Sequence, residues 1–197
     1  MYRDSAVVGD DDITVSKEYR SSRSAYLDIP ANPPQTDNEI ILSCIEQRAT
    51  HFQGHGPREN MENLQVVRYV NSQEFRAHFD WLEPQYVEDI GGAANRLTSF
   101  FVHLLANCTG GSTVFPGLAR PESPQWCGTV KCHDDEGQEI QWLEVPPKVR
   151  TAVFWYNLDL TGQGNRKTFH ARMPVVEGTK VGLNIWTRER RYRQENY

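Results

Sequence analysis

Short runs of alternating apolar and polar residues fill the chain after Glu62, and this is the feature that most limits its fold. Alternation with a period of two is typical of strands that bury one face. Turn-forming residues separate the runs, and Glu177-Gly178 is one of the predicted turns. The predicted strands cover residues 64–70, 74–80, 97–105, 112–115, 128–132, 140–145, 151–157, 167–173 and 180–187. This spacing indicates an antiparallel sandwich or barrel with a helix covering one face.

The N-terminal part of the chain contains one helical pattern. Thr36 and Glu39 have the spacing of a capping box, and the apolar residues after them recur on one helical face. A helix is therefore predicted from Asp37 to about His51. Two further short extended segments are predicted, at residues 13–15 and 25–29.

These elements suggest one domain with three segments. We expect residues 1–60 to form N-terminal strands and a supporting helix that pack on the core. Residues 61–190 hold the predicted β structure, and residues 191–197 read as a polar tail.

Composition argues against several functional classes. The formal net charge of -5 argues, by bulk electrostatics, against a protein that binds nucleic acid. The most apolar stretch, residues 97–106, is too short to cross a bilayer, so no membrane span is expected. Residues 1–12 lack the apolar segment of a secretory signal, and a cytoplasmic protein is the expectation.

The cysteines fit the same expectation. Four cysteines in 197 residues are too few for a disulfide scaffold, which favours a reducing compartment. Cys127 and Cys132 are close enough in sequence to bridge if oxidised, but free thiols are the favoured expectation.

Three side chains form a candidate metal site. Residues i and i+2 of a strand share a face, so His78 and Asp80 present an imidazole and a carboxylate together. His170 lies on another predicted strand and offers a third ligand. Two histidines and one carboxylate leave open coordination positions, which suits non-haem Fe(II) and oxygen chemistry. The alternative is that His78 and Asp80 are ordinary core residues.

The last predicted strand carries an unusual inward face. Lys180, Gly182, Asn184 and Trp186 alternate on one side of it, and the opposite side is apolar. A lysine inside a barrel is costly unless it meets an anion, and the carboxylate of an acidic co-substrate would be such an anion. The alternative is a lysine that extends to the barrel mouth and pairs with an acidic side chain.

Several motifs occur together in the order His78-x-Asp80, GGSTVFP at residues 110–116, and His170-x9-Lys180-x5-Trp186. Together they resemble the prolyl 4-hydroxylase-type Fe(II)/2-oxoglutarate-dependent dioxygenases. The resemblance spans Glu62 to Thr187, more than half of the chain. It implies a mainly β fold over residues 61–190, the double-stranded β-helix or jelly roll, with a flanking helix or helices.

The resemblance also implies roles for individual residues. His78, Asp80 and His170 would ligate Fe(II), and Lys180 would pair with the distal carboxylate of the co-substrate 2-oxoglutarate. Molecular oxygen would be the oxidant, with ascorbate as the expected reductant. The other side chains that match positions of the co-substrate pocket are Tyr69, His103 and Trp186. Each of these three has an ordinary core role as its alternative.

The candidate substrate contacts depart from the family pattern. Arg96 matches an arginine that relatives use against the substrate backbone, with a solvated arginine as the alternative. Phe75 stands where peptide hydroxylases often carry a tyrosine that touches the target proline, and it lacks the hydroxyl. Arg188 stands where relatives often have a histidine, and Trp81 either walls the entrance or is buried near Phe79. The changes at positions 75 and 188 put prolyl-peptide specificity in doubt.

The expected function is hydroxylation of an unactivated C–H, with release of succinate and carbon dioxide. The substrate would be a prolyl or other peptidyl residue, or a small amino-acid-derived molecule. Desaturation or ring closure in a biosynthetic pathway is an alternative outcome. A non-catalytic β-barrel binding module is a second class of function, but the joint presence of the three ligands and Lys180 argues against it.

Overall fold

The computed structural model describes residues 1–5, 7–8, 13–14, 20–28, 30, 32–54, 58–83, 87 and 94–190. Its helix is α1 (Asp37–Gln53), and short 3-10 turns lie at Arg58–Asn60, Pro124–Gly128 and Arg166–Thr168. The strands are β1 (Arg3–Asp4), β2 (Val7–Val8), β3 (Ile13–Thr14), β4 (Arg23–Tyr26), β5 (Gln65–Val70), β6 (Phe75–His78), β7 (Arg96–Gly110), β8 (Thr113–Ala119), β9 (Trp142–Val145), β10 (Ala152–Tyr156), β11 (His170–Arg172) and β12 (Val175–Arg188).

Two antiparallel sheets form the body of the described structure. The large sheet has the strand order β1-β4-β5-β12-β7-β10, and the small sheet has the order β6-β11-β8-β9. Among the described strands, β2 and β3 pair only with each other. One buried cluster takes side chains from the inner faces of both sheets, including Tyr69 and Phe101 from the large sheet and Phe115 from the small one. The predicted mainly β architecture is thereby confirmed.

Helix α1 covers the outer face of the large sheet. It begins at the predicted capping box, in which Thr36 and Glu39 bond each other's backbone N–H groups, and it ends at Gly54 in a left-handed conformation. Ala49 of the helix packs in a buried cluster with Leu183 and Ile185 of β12. The predicted helix is therefore confirmed, and it extends slightly beyond His51.

From Gly182 to Arg188 both faces of β12 are buried, and the two faces of the strand differ in chemistry. Leu183 and Ile185 face the helix, while Lys180, Asn184 and Trp186 point between the sheets. We call the inward row of Lys180, Gly182, Asn184 and Trp186 the β12 stripe. This division agrees with the alternation predicted from the sequence.

The predicted turn at Glu177-Gly178 is wrong. β12 runs unbroken through both residues, with a register shift against β7 between Val175 and Glu177. Gly178 has a φ of 93°, and a side chain there would collide with the backbone carbonyl of Asn107. The glycine therefore serves a bulge inside a long strand rather than a turn.

The predicted strand at 128–132 and the expected free thiols are also wrong. Cys127 and Cys132 form a disulfide with a Cα–Cα distance of 5.4 Å. An extended strand would hold these two Cα atoms about 16 Å apart, so the bridge requires a compact loop. The disulfide also removes the cysteine argument for a reducing compartment.

The N-terminal strands extend the large sheet, because β4 pairs with β5 and β1 pairs with β4. The division of the chain at residue 60 stays a prediction. Residues 15 and 29, which ended two predicted extended segments, and the polar tail at 191–197 lie outside the described residues. In the described part of the chain, no helix has the length and apolarity needed to span a membrane.

Candidate active site

Strand pairing in the small sheet brings the three candidate metal ligands together. β6 ends at His78, and His170 at the start of β11 lies directly opposite it. Asp80 lies in the bend that follows β6. One ligand atom from each of these three side chains lies within 4.8 Å of the others. The structure therefore groups the residues that the sequence predicted as ligands.

Backbone carbonyls orient both imidazoles. Nδ1 of His78 lies 2.7 Å from the carbonyl oxygen of Arg76, and Nδ1 of His170 lies 2.9 Å from that of Thr168. A carbonyl only accepts, so each Nδ1 carries the proton and each Nε2 presents a lone pair. Both Nε2 atoms are buried without a hydrogen-bond partner in the described structure. This is the donor arrangement that a bound metal ion would complete.

The Asp80 carboxylate is held through one of its oxygens. Oδ2 accepts hydrogen bonds from Ser99 Oγ at 2.7 Å and from Trp186 Nε1 at 3.0 Å. Oδ1 is directed toward His78 Nε2, 3.7 Å away. One oxygen is thus fixed by the protein, while the other faces the two histidines.

A second layer of hydrogen bonds supports Ser99. Its hydroxyl accepts from Asn157 Nδ2 at 2.8 Å, and Asn157 Oδ1 accepts from Trp155 Nε1 at 2.8 Å. No sequence pattern identifies this network, because its members come from β7 and the end of β10 and meet only in the folded sheet. Such outer partners set the orientation and basicity of metal ligands.

The protonation states at this centre suit a divalent cation. Burial lowers the pKa of the His78 imidazole, and burial together with the His78 charge lowers the pKa of His170 to about 3. Burial alone would raise the pKa of the Asp80 carboxyl, but the neighbouring imidazoles hold it well below its usual range. At neutral pH the group therefore offers two neutral nitrogens and one anionic oxygen, which fits a 2-His-1-carboxylate metal site.

Lys180 occupies the opposite end of the β12 stripe. Its side chain is 0% exposed, and its ammonium donates a hydrogen bond of 2.5 Å to the Gly111 carbonyl. Burial, and then the charge of Arg172, lowers the pKa of this ammonium to about 7. No carboxylate pairs with it in the described part of the chain, so the alternative of a lysine at the barrel mouth paired with an acid does not apply.

Tyr69 and His103 both lie near Lys180, and their part in a co-substrate pocket stays a prediction. The Tyr69 ring lies 4.7 Å from Lys180 Nζ, and its hydroxyl has no partner among the described residues. His103 Nδ1 lies 3.1 Å from Thr151 Oγ1, while its Nε2 is likewise unpartnered. Burial and the nearby Lys180 charge lower the pKa of His103 to about 4, so this imidazole is neutral.

Arg96 and Arg188 meet at one buried carboxylate. Glu62 accepts two hydrogen bonds from Arg96, at 2.7 and 2.9 Å, and one from Arg188 at 2.8 Å. Arg96 also donates to the backbone carbonyl of Asp80, and its guanidinium lies 3.9 Å from the Trp186 ring. The structure thus gives both arginines protein partners close to the metal centre, and their contact with a substrate stays a prediction.

The aromatic candidates lie at or near the same centre. Phe75 is buried and stacks on His78 with ring centroids 3.6 Å apart. Trp81 is buried with its ring centroid 4.6 Å from that of Phe79, which favours packing over an exposed entrance wall. Trp186 lies on the metal side, since its N–H bonds Asp80.

Comparisons with known proteins agree with this geometry. The sequence model described as the 2OG-Fe(II) oxygenase superfamily matches residues 64–188. The chain is 31% identical over 172 residues to prolyl 4-hydroxylase subunit alpha-2 of Gallus gallus, covering 87% of this chain and 26% of that subunit. It is 31% identical over 139 residues to probable prolyl 4-hydroxylase 6 of Arabidopsis thaliana, covering 69% of this chain and 45% of that protein. The chain thus spans less than half of either relative.

Solved structures share the fold. A viral collagen prolyl hydroxylase from Paramecium Bursaria Chlorella virus-1, in its 2OG complex, gives a TM-score of 0.58 at 23% identity over 86% of this chain and 80% of that one. A prolyl hydroxylase from Trichoplax adhaerens, solved with a hypoxia inducible factor peptide fragment, gives 0.58 at 11% identity over 95% of this chain and 70% of that one.

The likeness to these structures confirms the predicted double-stranded β-helix, or jelly roll. The superfamily match covers more than half of the chain, and the curated relatives carry prolyl 4-hydroxylase names. This chain therefore belongs to the 2OG-Fe(II) oxygenase superfamily and is prolyl 4-hydroxylase-like.

Proposed function

We propose that this chain is an Fe(II)- and 2-oxoglutarate-dependent dioxygenase that hydroxylates an unactivated C–H and releases succinate and carbon dioxide. One observation carries the proposal. Three buried ligand atoms of His78, Asp80 and His170 converge within 4.8 Å, and the fully buried Lys180 lies on the same inward stripe as Trp186, which bonds Asp80.

The ligand atoms define how the metal would be held. His78 Nε2, Asp80 Oδ1 and His170 Nε2 are the atoms that would bind Fe(II), since the remaining polar atoms of these side chains are hydrogen-bonded within the protein. When bound, Fe(II) supplies oxygen activation and coordination of the keto acid at its open positions. Ascorbate is the proposed reductant that keeps the metal ferrous.

Lys180 is the proposed partner of the distal carboxylate of 2-oxoglutarate. Its burial without an acidic partner supports this role, because a buried ammonium gains most from a matching anion. Tyr69 and His103 would line the same pocket with a phenol and a neutral imidazole.

The chain's own residues also exclude water from the reaction. Phe75 stacks on His78, and Phe115 and Trp155 contact His170 with ring centroids 5.3 and 4.9 Å away. An apolar wall of this kind lowers the local dielectric constant and suppresses side reactions with solvent.

The proposed primary substrate is a prolyl or other peptidyl residue, or a small amino-acid-derived molecule. The prolyl hydroxylase names of the relatives and the peptide bound in the Trichoplax adhaerens structure support the peptide class. Phe75 lacks the hydroxyl that a tyrosine would offer, and Arg188 is bound to Glu62. Substrate contacts at these two positions would therefore differ from those of the prolyl-peptide hydroxylases that the chain resembles. Arg96 and Trp81 remain candidate substrate contacts in this proposal.

The test is succinate release from 2-oxoglutarate with ferrous iron and ascorbate, with a panel of prolyl peptides and free amino acids. The wild type is expected to form succinate, and His78→Ala and Asp80→Ala are expected to lose it. His51→Ala, at an exposed position of helix α1, is the matched control and should behave as the wild type. Equal succinate formation in all four proteins would reject the ligand assignment.

The same reactions separate the alternatives. Mass spectrometry of the product distinguishes hydroxylation, which adds one oxygen atom, from desaturation or ring closure, which removes hydrogen. A binding module would take up 2-oxoglutarate without converting it.

A further inference from the structure

Arg172 points into the interior beside the candidate metal centre. It lies on β11 two residues after His170, so the two side chains share a face. Its neighbours across the small sheet are Phe75 on β6 and Thr113 on β8. Directly opposed residues of antiparallel strands also share a face, so Arg172 lies between these two inward side chains.

The guanidinium of Arg172 is only partly satisfied. The residue is 1% exposed, and Nη2 donates to Asn184 Oδ1 at 2.9 Å. Nε and Nη1 have no hydrogen-bond partner in the described part of the chain. Buried donors on a charged group are costly when unpartnered, so a ligand that accepts from them would be favoured.

Arg172 and Lys180 lie around the same aromatic ring. The guanidinium carbon of Arg172 lies 4.2 Å from the Phe101 ring centroid, and Lys180 Nζ lies 5.5 Å from it. Asn184, which accepts from Arg172, lies on the β12 stripe between Lys180 and Trp186. Two buried cations therefore face one part of the interior, and no described carboxylate pairs with either of them.

We propose that Arg172 and Lys180 together form a two-cation site for the distal carboxylate of 2-oxoglutarate, and that Arg172 thereby makes the pocket selective for keto acids with a second carboxylate. The inference rests on the proposed function and adds a residue to it. A carboxylate between the two cations accepts from Lys180 Nζ and from the free N–H groups of Arg172, which removes the burial cost of both.

The test compares two keto acids on the metal-loaded protein without turnover. Mn(II)-loaded wild type, Arg172→Gln and Lys180→Met are titrated by calorimetry with 2-oxoglutarate and with 2-oxopentanoate, which lacks the distal carboxylate. Arg172→Gln is expected to weaken 2-oxoglutarate binding at least about tenfold and to leave 2-oxopentanoate binding nearly unchanged. Lys180→Met should give the same pattern.

Two further variants control for charge and folding. Arg68→Gln makes the same substitution on an exposed position of β5 and should leave both affinities as in the wild type. Thermal unfolding and Mn(II) affinity report whether each variant is folded. Arg172→Met, which keeps an aliphatic chain in the same space, replaces the glutamine variant if that one does not fold.

The outcomes separate this inference from the proposed function. If Arg172→Gln weakens both keto acids equally, or neither of them, Arg172 is not an anchor for the distal carboxylate and the inference is overturned. If the Mn(II)-loaded wild type binds neither keto acid, the proposed function itself is overturned together with the inference.

Discussion

At the Trp186 end of the β12 stripe, the protein supplies partners for the polar atoms that surround the metal ligands. Asp80 Oδ2 receives two hydrogen bonds, and a backbone carbonyl holds Nδ1 of each histidine. At the Lys180 end, polar atoms of Arg172, Tyr69 and His103 are buried without partners in the described structure. The protein thus fixes the orientation of the first end and leaves the two histidine Nε2 atoms for a metal, whereas the second end leaves polar atoms of three side chains for a ligand to satisfy.

This difference predicts which binding constant each end controls. Metal affinity depends on hydrogen bonds that the protein already makes, so it should respond to changes around Asp80. Affinity for an anionic co-substrate depends on buried cations, so it should respond to changes at Lys180. A substitution at one end should leave the other constant nearly untouched.

The largest expected effects come from removing one residue at each end. His170→Ala should weaken Mn(II) binding by more than the roughly 10- to 100-fold typical of losing an outer partner of a metal ligand. Lys180→Met should keep Mn(II) affinity and weaken 2-oxoglutarate binding at least about tenfold. Calorimetric titration of both ligands measures each constant. Loss of metal affinity in Lys180→Met would contradict the separation of the two ends.

A smaller effect is expected from the support of Asp80. Ser99→Ala removes one of two donors to Oδ2 and should lower Mn(II) affinity roughly 10- to 100-fold. Thr98→Ala is the matched control, because the adjacent buried hydroxyl bonds Gln53 on the helix side. Ser99→Thr retains the hydroxyl and should recover most of the affinity. Equal metal affinities in Ser99→Ala and Thr98→Ala would show that this network does not tune the metal site.

The pH dependence of co-substrate binding should separate the ends further. Lys180 has a pKa of about 7, so raising the pH through this value removes the charge that the distal carboxylate needs. The dissociation constant of 2-oxoglutarate should therefore rise with pH by up to about tenfold per unit. The constant of 2-oxopentanoate should stay flat over the same range. Parallel profiles for the two keto acids would remove Lys180 as the cause.

Reduction of the disulfide between Cys127 and Cys132 is expected to have the smallest effect: a small loss of stability and no change of affinity at the site. Reduction should lower the free energy of unfolding by about 2 kcal/mol or less, because the bridge closes a short loop. Mn(II) and 2-oxoglutarate affinities should be unchanged, since neither cysteine contributes to the two ends. Denaturant unfolding and calorimetry with and without a thiol reductant measure both. A change in either affinity would couple this loop to the site.

Alternation along strands explains how much of the site the sequence predicted. It placed Lys180 on the face of Trp186, because side-chain direction in a strand is a local property. It also paired His78 with Asp80, but β6 ends at His78, and the bend that follows the strand brings Asp80 to the site. The same rule puts Arg172 on the face of His170, and that was the signal available for it. An arginine in a short strand is usually solvated. The burial of Arg172 is evident only once β6 and β8 flank its strand on both sides.

Long-range pairing accounts for what the sequence did not predict. Ser99, Asn157 and Trp155 reach Asp80 through strand neighbours that no local pattern identifies. The pair Glu177-Gly178 is typical of a turn in sequence, but a glycine also serves a bulge when another backbone approaches closely. Both cases depend on which strand lies alongside, and this is a property of the assembled sheet.

Gly182 has a consequence for how this pocket can change. A side chain at this position would collide with the Phe101 ring, so the ring fills space that the glycine leaves free. Phe101 in turn lies against the Arg172 guanidinium. A larger residue at position 182 therefore requires a smaller residue at position 101 in the same variant. Mutant libraries that vary only one of these two positions will not sample the cavity shapes that such a paired change would create.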